Sequence, residues 1–72
     1  MDIIEIKRKE TLSREDAAAK LHALADMLAR NNEVEFEEGG MRITVHVADE
    51  VEMKVEVEVE TDERELEIEL KW

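Results

Sequence analysis

One stretch of the chain spaces its apolar residues three and four apart, as an amphipathic helix does. The residues that share this face are Ala17, Leu21, Leu24, Ala25 and Leu28. Ser13 is the expected N-cap, because its hydroxyl can accept a hydrogen bond from the amide of Asp16, and Asp16 can reach back as in a capping box. The pattern predicts a helix over residues 13–30, with the exit at Asn31 and Asn32.

Elsewhere apolar and polar residues alternate, which is the period of a half-buried strand. The alternation predicts five strands, near residues 2–10, 33–37, 41–47, 51–60 and 65–72. In the fourth of these, a valine or methionine at every second position distinguishes a strand from a disordered acidic tail.

Gly39 and Gly40 lie between the second and third strands and suit a two-residue hairpin turn, since both can adopt positive φ. The turn predicts the pairs Phe36–Ile43, Val34–Val45 and Glu37–Arg42. Turn chemistry, apolar pattern and charge agree on this register.

The link at residues 48–50 predicts that the third and fourth strands also pair. A three-residue loop sets apolar residues opposite one another, in the pairs Val47–Val51, Val45–Met53 and Ile43–Val55. It sets the polar residues opposite one another as His46–Glu52, Thr44–Lys54 and Arg42–Glu56. A two-residue loop would pair apolar with polar residues.

Two registers are open for the last hairpin. A tight turn at Asp62 and Glu63 places Lys54 opposite Lys71 and sets three glutamate pairs against each other, which is unfavourable. A slip of two residues pairs Lys54 with Glu69 and Glu52 with Lys71, although other glutamates still meet. Turn chemistry favours the first register and charge favours the second.

These elements predict a single α+β domain over residues 1–72, in the order βαββββ. One amphipathic helix would pack on one face of a mostly antiparallel five-stranded sheet. The helical crossover favours the first strand parallel to the second, with pairing to the last strand as the alternative. Trp72 would cap the core near Leu28 or Met27 of the helix and near Val51 or Met53, with a place on a partner surface as the alternative.

Charge narrows the classes of partner. The chain has 21 acidic and 10 basic residues, a net charge of −11. Nucleic acids and anionic membranes would repel it, because both are bound by neutralising their phosphates with Lys and Arg. The longest apolar run is three alanines, too short to span a bilayer, and the N-terminus has no signal-peptide pattern. We therefore expect a cytoplasmic protein that binds neither nucleic acid nor membrane.

Seven glutamates should form an acidic face on the side of the sheet away from the helix: Glu52, Glu56, Glu58, Glu60, Glu65, Glu67 and Glu69. This face has three interpretations: a solvated surface, an adaptation to a saline or hot habitat, or a binding surface for a basic protein partner or divalent cations. A specific calcium site is disfavoured, because calcium needs six to eight convergent oxygens and strands present them in a flat array.

The chain offers no catalytic constellation. It has no cysteine, and neither His22 nor His46 has a Cys, Ser or second His at ligand or triad spacing. Ser13 is accounted for as a helix cap, and Gly39-Gly40 precedes no helix that could form a phosphate loop. We expect no enzyme, no cofactor and no metal centre.

The last eight residues, Glu-Leu-Glu-Ile-Glu-Leu-Lys-Trp, resemble the end of the Amphi-Trp domain family, whose members close with an amphipathic strand and a terminal Trp. The helix that begins Ser13-Arg14-Glu15-Asp16 and the strand at residues 51–58 are also similar to that family. The resemblance covers nearly the whole chain. It implies a small prokaryotic domain without an established biochemical activity, and it brings no catalytic residues.

The predicted sheet has more apolar surface than one helix can cover. Five strands span roughly 20–24 Å, whereas a helix covers about 10 Å. We therefore expect a non-enzymatic interaction module that self-associates as a homodimer or higher oligomer. The candidate interface residues are Met53, Ile68, Leu70 and Trp72. The alternative function is binding of a basic protein partner or divalent cations by the acidic face.

Overall fold

The structure is a computed structural model that describes residues 4–72. One helix is followed by two antiparallel β-hairpins, so the fold class is α+β. The elements are α1 (Arg14–Asn31), β1 (Glu33–Glu38), β2 (Met41–His46), β3 (Glu52–Val59) and β4 (Arg64–Lys71).

Local capping determines both ends of α1. The Ser13 hydroxyl accepts from the Asp16 amide at 3.1 Å, and the Ser13 carbonyl accepts from the Ala17 amide at 3.0 Å. A cap of this kind is worth about 1 kcal/mol. Asn32 ends the helix in the left-handed conformation, with φ 54°. The predicted helix and its N-cap are confirmed, and the helix extends one residue further than predicted. No helix within residues 4–72 is long and apolar enough to cross a membrane.

The first hairpin has the predicted register. Gly39 and Gly40 form its turn with φ values of 57° and 80°, which residues other than glycine rarely adopt. The ladder contains all three predicted pairs, Val34–Val45, Phe36–Ile43 and Glu37–Arg42. The local rules for a two-residue turn were sufficient to predict this element.

The second hairpin has the register that charge favoured. Lys54 lies opposite Glu69, and Glu52 lies opposite Lys71. The Glu60 amide donates to the Glu63 carbonyl at 2.8 Å, so the turn lies one residue earlier than Asp62 and Glu63, and each residue's partner on the other strand shifts by two. Two like-charge pairs remain in the ladder, Glu56–Glu67 and Glu58–Glu65, and Glu60 lies opposite Glu63 at the turn.

The prediction of one five-stranded sheet is wrong. The structure has two separate two-stranded sheets, β1–β2 and β3–β4, and the predicted pairing of Val45 with Met53 does not occur. Residues 4–10 form no strand, and the start of the predicted first strand lies outside the described residues.

Hydrogen-bond alternation explains why the first sheet ends at β2. Successive residues of an antiparallel strand direct their amide and carbonyl groups to opposite sides. The Val47 amide donates to the Asn32 carbonyl at 2.8 Å, so Val47 faces β1. The backbone groups of Arg42, Thr44 and His46 therefore face the other side, which we call the free edge of β2.

The register of the second hairpin directs the backbone groups of apolar residues to the free edge of β3, the side of β3 away from β4. Because Glu60 faces β4, the backbone groups of Met53, Val55 and Val57 face away from it. An antiparallel pair sets edge-facing residues directly opposite one another. Pairing β2 with β3 would therefore put the polar side chain of Thr44 on the same face as valines, which excludes the predicted pairing.

The core is small and lies between α1 and the first hairpin, where the helix contacts β1. Among residues 4–72, only Val34 and Val47 are buried apolar residues. Leu24, Met27, Leu28 and Phe36 are half-buried around them. The second hairpin lies outside this core.

Candidate interaction surface

One side of the second hairpin is an exposed apolar surface, which we call the apolar face. Its side chains are 46% to 69% exposed, and they belong to Met53, Val55, Val57, Val59, Leu66 and Ile68. An isolated two-stranded hairpin is at best marginally stable in water. No part of residues 4–72 covers this face. Leaving these apolar side chains in water gives the folded chain no stability.

The dimensions of the chain show the same excess. Its accessible surface is 6985 Å², whereas a compact folded monomer of this mass exposes about 4600 Å². The radius of gyration is 14.2 Å, against about 11 Å for a compact domain of this length. The single chain is therefore less compact than a closed globular domain of the same size.

The other side of the hairpin carries the acidic face that the sequence predicted. Six of its seven glutamates lie on β3 and β4, and Glu60 lies in the turn between these strands. Among residues 4–72, the lysines on this side form ion pairs along their own strands, Lys54–Glu56 at 3.4 Å and Lys71–Glu69 at 3.5 Å. Exposed pairs of this kind stabilise little. Within the described part of the chain, no three His, Cys, Asp or Glu residues are arranged to hold a metal ion.

The base of the second hairpin lies near the C-terminal end of α1. Leu70 and Met53 line a cavity of about 310 Å³ together with Leu28, Val47 and Val51. Trp72 lies outside this cavity and is 55% exposed. Its indole Nε1 donates to the His46 carbonyl at 3.1 Å, on the free edge of β2. The predicted burial of Trp72 beneath the helix is therefore not observed.

A second concavity of about 410 Å³ lies between residues 8–12, α1 and β1. Its apolar lining comes from Leu12, Leu21, Leu24, Met27 and Phe36. The Glu10 carboxylate accepts from Lys20 Nζ at 3.3 Å, and Arg8 donates to the Glu37 carbonyl. These contacts tie the N-terminal segment to the helix and to the first hairpin, which is a structural role.

Comparison with known proteins identifies the family. A family model for the Amphi-Trp domain matches residues 1–72, the whole chain. The chain belongs to the Amphi-Trp domain family. The resemblance in the terminal strand is thereby confirmed. No curated protein and no solved structure matches this Amphi-Trp domain.

The structure divides the four candidate interface residues of this Amphi-Trp domain into two groups. Met53 and Ile68 belong to the apolar face, whereas Leu70 and Trp72 lie at the base of the hairpin. Packing of the helix on the apolar side of a single sheet would have placed Val55, Val57, Val59 and Leu66 beneath it, and the structure exposes them. The predicted sheet is wider than one helix, and this difference was the signal in the sequence that the helix would not cover all of these side chains.

The candidate catalytic side chains of the Amphi-Trp domain are dispersed. His22 lies beside Ala18, Leu21 and Ala25 on the exposed surface of α1. The Ser13 hydroxyl is engaged by the Asp16 amide, and the contact of His46 with Trp72 uses its backbone carbonyl.

Proposed function

We propose that this Amphi-Trp domain is a non-enzymatic interaction module that self-associates through its apolar face. The observation that carries the proposal is the exposure of six large apolar side chains on one side of a hairpin. Contiguous exposed apolar surface rimmed by polar residues is typical of protein interaction sites. A second copy of the chain supplies an apolar surface of the same shape.

The area available is sufficient for a stable dimer. The chain exposes about 2400 Å² more than a compact monomer of the same mass. A standard interface buries about 800 Å² on each partner. An interface on the apolar face would therefore bury only part of the excess accessible surface. The rest of that surface can be buried at the base of the hairpin.

The charge distribution is compatible with this contact. Packing two apolar faces together leaves both acidic faces in water, where carboxylates are well solvated. Edge-to-edge pairing of two β4 strands would instead set glutamates directly opposite glutamates, which is destabilising. Association through the face separates the like charges by the thickness of the packed hairpins.

A matched pair of variants tests this function. Val57→Lys places a charge on the apolar face, whereas Glu58→Lys places the same side chain on the acidic face one residue away. Sedimentation velocity should show an oligomer for the wild type and for Glu58→Lys, and a monomeric or unfolded chain for Val57→Lys. Equal dissociation by both variants, or a monomeric wild type, would overturn the proposal.

The acidic face supports a second candidate function, binding of a basic protein partner. The observation in its favour is that Glu58, Glu65 and Glu67 make no ion pair within residues 4–72. Self-association through the apolar face would leave these carboxylates accessible. Titration with a lysine-rich peptide should show binding that high salt abolishes and that Glu58→Lys weakens. Salt-independent binding would exclude an electrostatic contact.

A further inference from the structure

We infer that the free edge of β2 is the docking site for strand β4 of a second copy, added parallel to β2. The inference rests on the proposed function in one respect, because it takes its partner to be the same chain. It goes further by naming a second contact surface, the strand that occupies it and the direction of that strand.

The edge is open to an incoming strand. In the described part of the chain, β2 pairs only with β1. Arg42, Thr44 and His46 direct their backbone groups to the free edge, and all three are exposed. The Trp72 indole already donates to the His46 carbonyl at 3.1 Å, so a donor from the end of a β4 strand can reach this edge.

Charge identifies β2 as the acceptor of a glutamate-rich strand. The polar sides of β1, β3 and β4 all carry glutamates, for example Glu35, Glu56 and Glu67. The polar side of β2 carries Arg42, Thr44 and His46 and no carboxylate. Like charges directly opposite one another disfavour strand addition, and opposite charges favour it. Among the four strands, β2 is therefore the one whose edge suits β4.

Hydrogen-bond geometry determines the direction. The free edge of β4 carries the backbone groups of Leu66, Ile68 and Leu70, because Glu65, Glu67 and Glu69 face β3. In a parallel pair, a residue that faces its partner strand lies opposite one that faces away. Parallel addition thus sets the polar residues of β2 opposite the glutamates of β4, and apolar residues opposite apolar ones. Antiparallel addition would mix the two faces.

The Trp72–His46 contact indicates the register. It places the C-terminal ends of β2 and β4 side by side, as parallel pairing requires. Continuing from that point, Lys71 lies beside His46, Glu69 beside Thr44 and Glu67 beside Arg42. The apolar face of the docked hairpin then continues that of the first hairpin.

A second copy is the favoured source of the strand. Within the described part of one chain, the second hairpin reaches β2 through the hydrogen bond of Trp72, the residue after β4, and β2 and β4 form no ladder. For its own hairpin to lie flat against β2, the link at residues 47–51 would have to cross the end of β4, where Trp72 lies. The hairpin of a second copy has no such tether. Reciprocal docking replaces each chain's own Trp72 contact with that of the second copy.

Disulfide trapping tests this arrangement, because the chain has no cysteine of its own. Neighbouring strands lie about 4.8 Å apart, within the Cα separations of roughly 4.4–6.8 Å that a disulfide allows. Thr44→Cys and Glu69→Cys are made as separate chains of different mass, mixed and oxidised. The expected product is a disulfide dimer that contains one chain of each kind. The control mixes Thr44→Cys with Glu58→Cys, since Glu58 lies on β3 away from the docked edge, and it should cross-link far less.

Each result has a distinct meaning. Equal cross-linking of the control, or no disulfide between the Thr44→Cys and Glu69→Cys chains of a sedimenting dimer, overturns the docking and leaves self-association through the apolar face intact. A monomer in sedimentation overturns both. A Thr44→Cys/Glu69→Cys double variant that forms its disulfide within one chain overturns the second-copy assignment.

Arg42→Glu should weaken the dimer up to about fivefold, and Glu67→Arg in the same chain should restore it. Failure of this rescue contradicts the register.

Discussion

Among individual residues, Trp72 shows how much the alternation of apolar and polar residues along a strand can predict about where a side chain lies. Alternation predicts that Trp72 shares one side of the last strand with Leu70 and Ile68, but β4 ends at Lys71 and Trp72 follows it. The pattern does not determine where the whole hairpin lies relative to the helix, and the predicted burial of Trp72 is not observed, since Trp72 is 55% exposed. Its hydrogen bond to the His46 carbonyl could not be predicted either, because a backbone acceptor leaves no mark in the sequence.

Fluorescence of Trp72 should report association, since it is the only tryptophan. In the dilute monomer we expect emission typical of a solvated indole, because the side chain is 55% exposed. Emission should shift to shorter wavelength as the concentration rises and a second copy covers the base of the hairpin. The Val57→Lys variant should keep the solvated emission at all concentrations. A spectrum that does not change while the mass does would place Trp72 outside the interface.

Among the helices and strands, the first hairpin and the helix were predictable because their signals are local. Ser13 with Asp16 determines the helix start, and Gly39-Gly40 determines the first register. The second hairpin was not determined in this way, since its turn residues and its charges favour different registers. A shift of two residues keeps every side chain on its face but reverses which backbone groups face the free edge of β3.

This reversal separates the two sheets. With a turn at Asp62 and Glu63, the polar residues of β3 would face its free edge and could pair with Thr44 and its neighbours. With the observed turn they face β4 instead, as Lys54 does towards Glu69. The predicted pairing of β2 with β3 therefore failed at one turn, where hydrogen-bond direction and charge had to be considered together.

The two registers of the second hairpin predict stability changes of opposite sign for Lys54→Glu. In the observed ladder this change sets a glutamate opposite Glu69, and we expect it to lower the free energy of unfolding by about 0.2–1 kcal/mol. In the alternative register it would lie opposite Lys71 and raise stability. Thermal unfolding measures the sign, and the exchange variant Lys54→Glu/Glu69→Lys should recover the wild-type midpoint. A higher midpoint for the single variant would contradict the observed register.

For the protein as a whole, the charge of −11 opposes both folding and association. In the part of the chain that the structure describes, Lys54 and Lys71 each pair with one exposed glutamate two positions along the strand. Screening should therefore stabilise the protein, since the Debye length falls to about 3 Å at 1 M salt. Thermal melts should show a higher midpoint in concentrated than in dilute NaCl. The same melts on Glu58→Lys should show a smaller increase. A midpoint independent of salt would mean that the acidic face is already compensated.

Our main proposal is that a second copy covers the exposed apolar face in solution. Small-angle X-ray scattering of the wild-type protein is the decisive experiment, because it yields mass and dimensions together. We predict a mass that is a multiple of 8.4 kDa, with a radius of gyration above the 14.2 Å of one chain. A particle of single-chain mass at every accessible concentration would contradict the proposal, above all if its radius were near the 11 Å or so of a compact monomer.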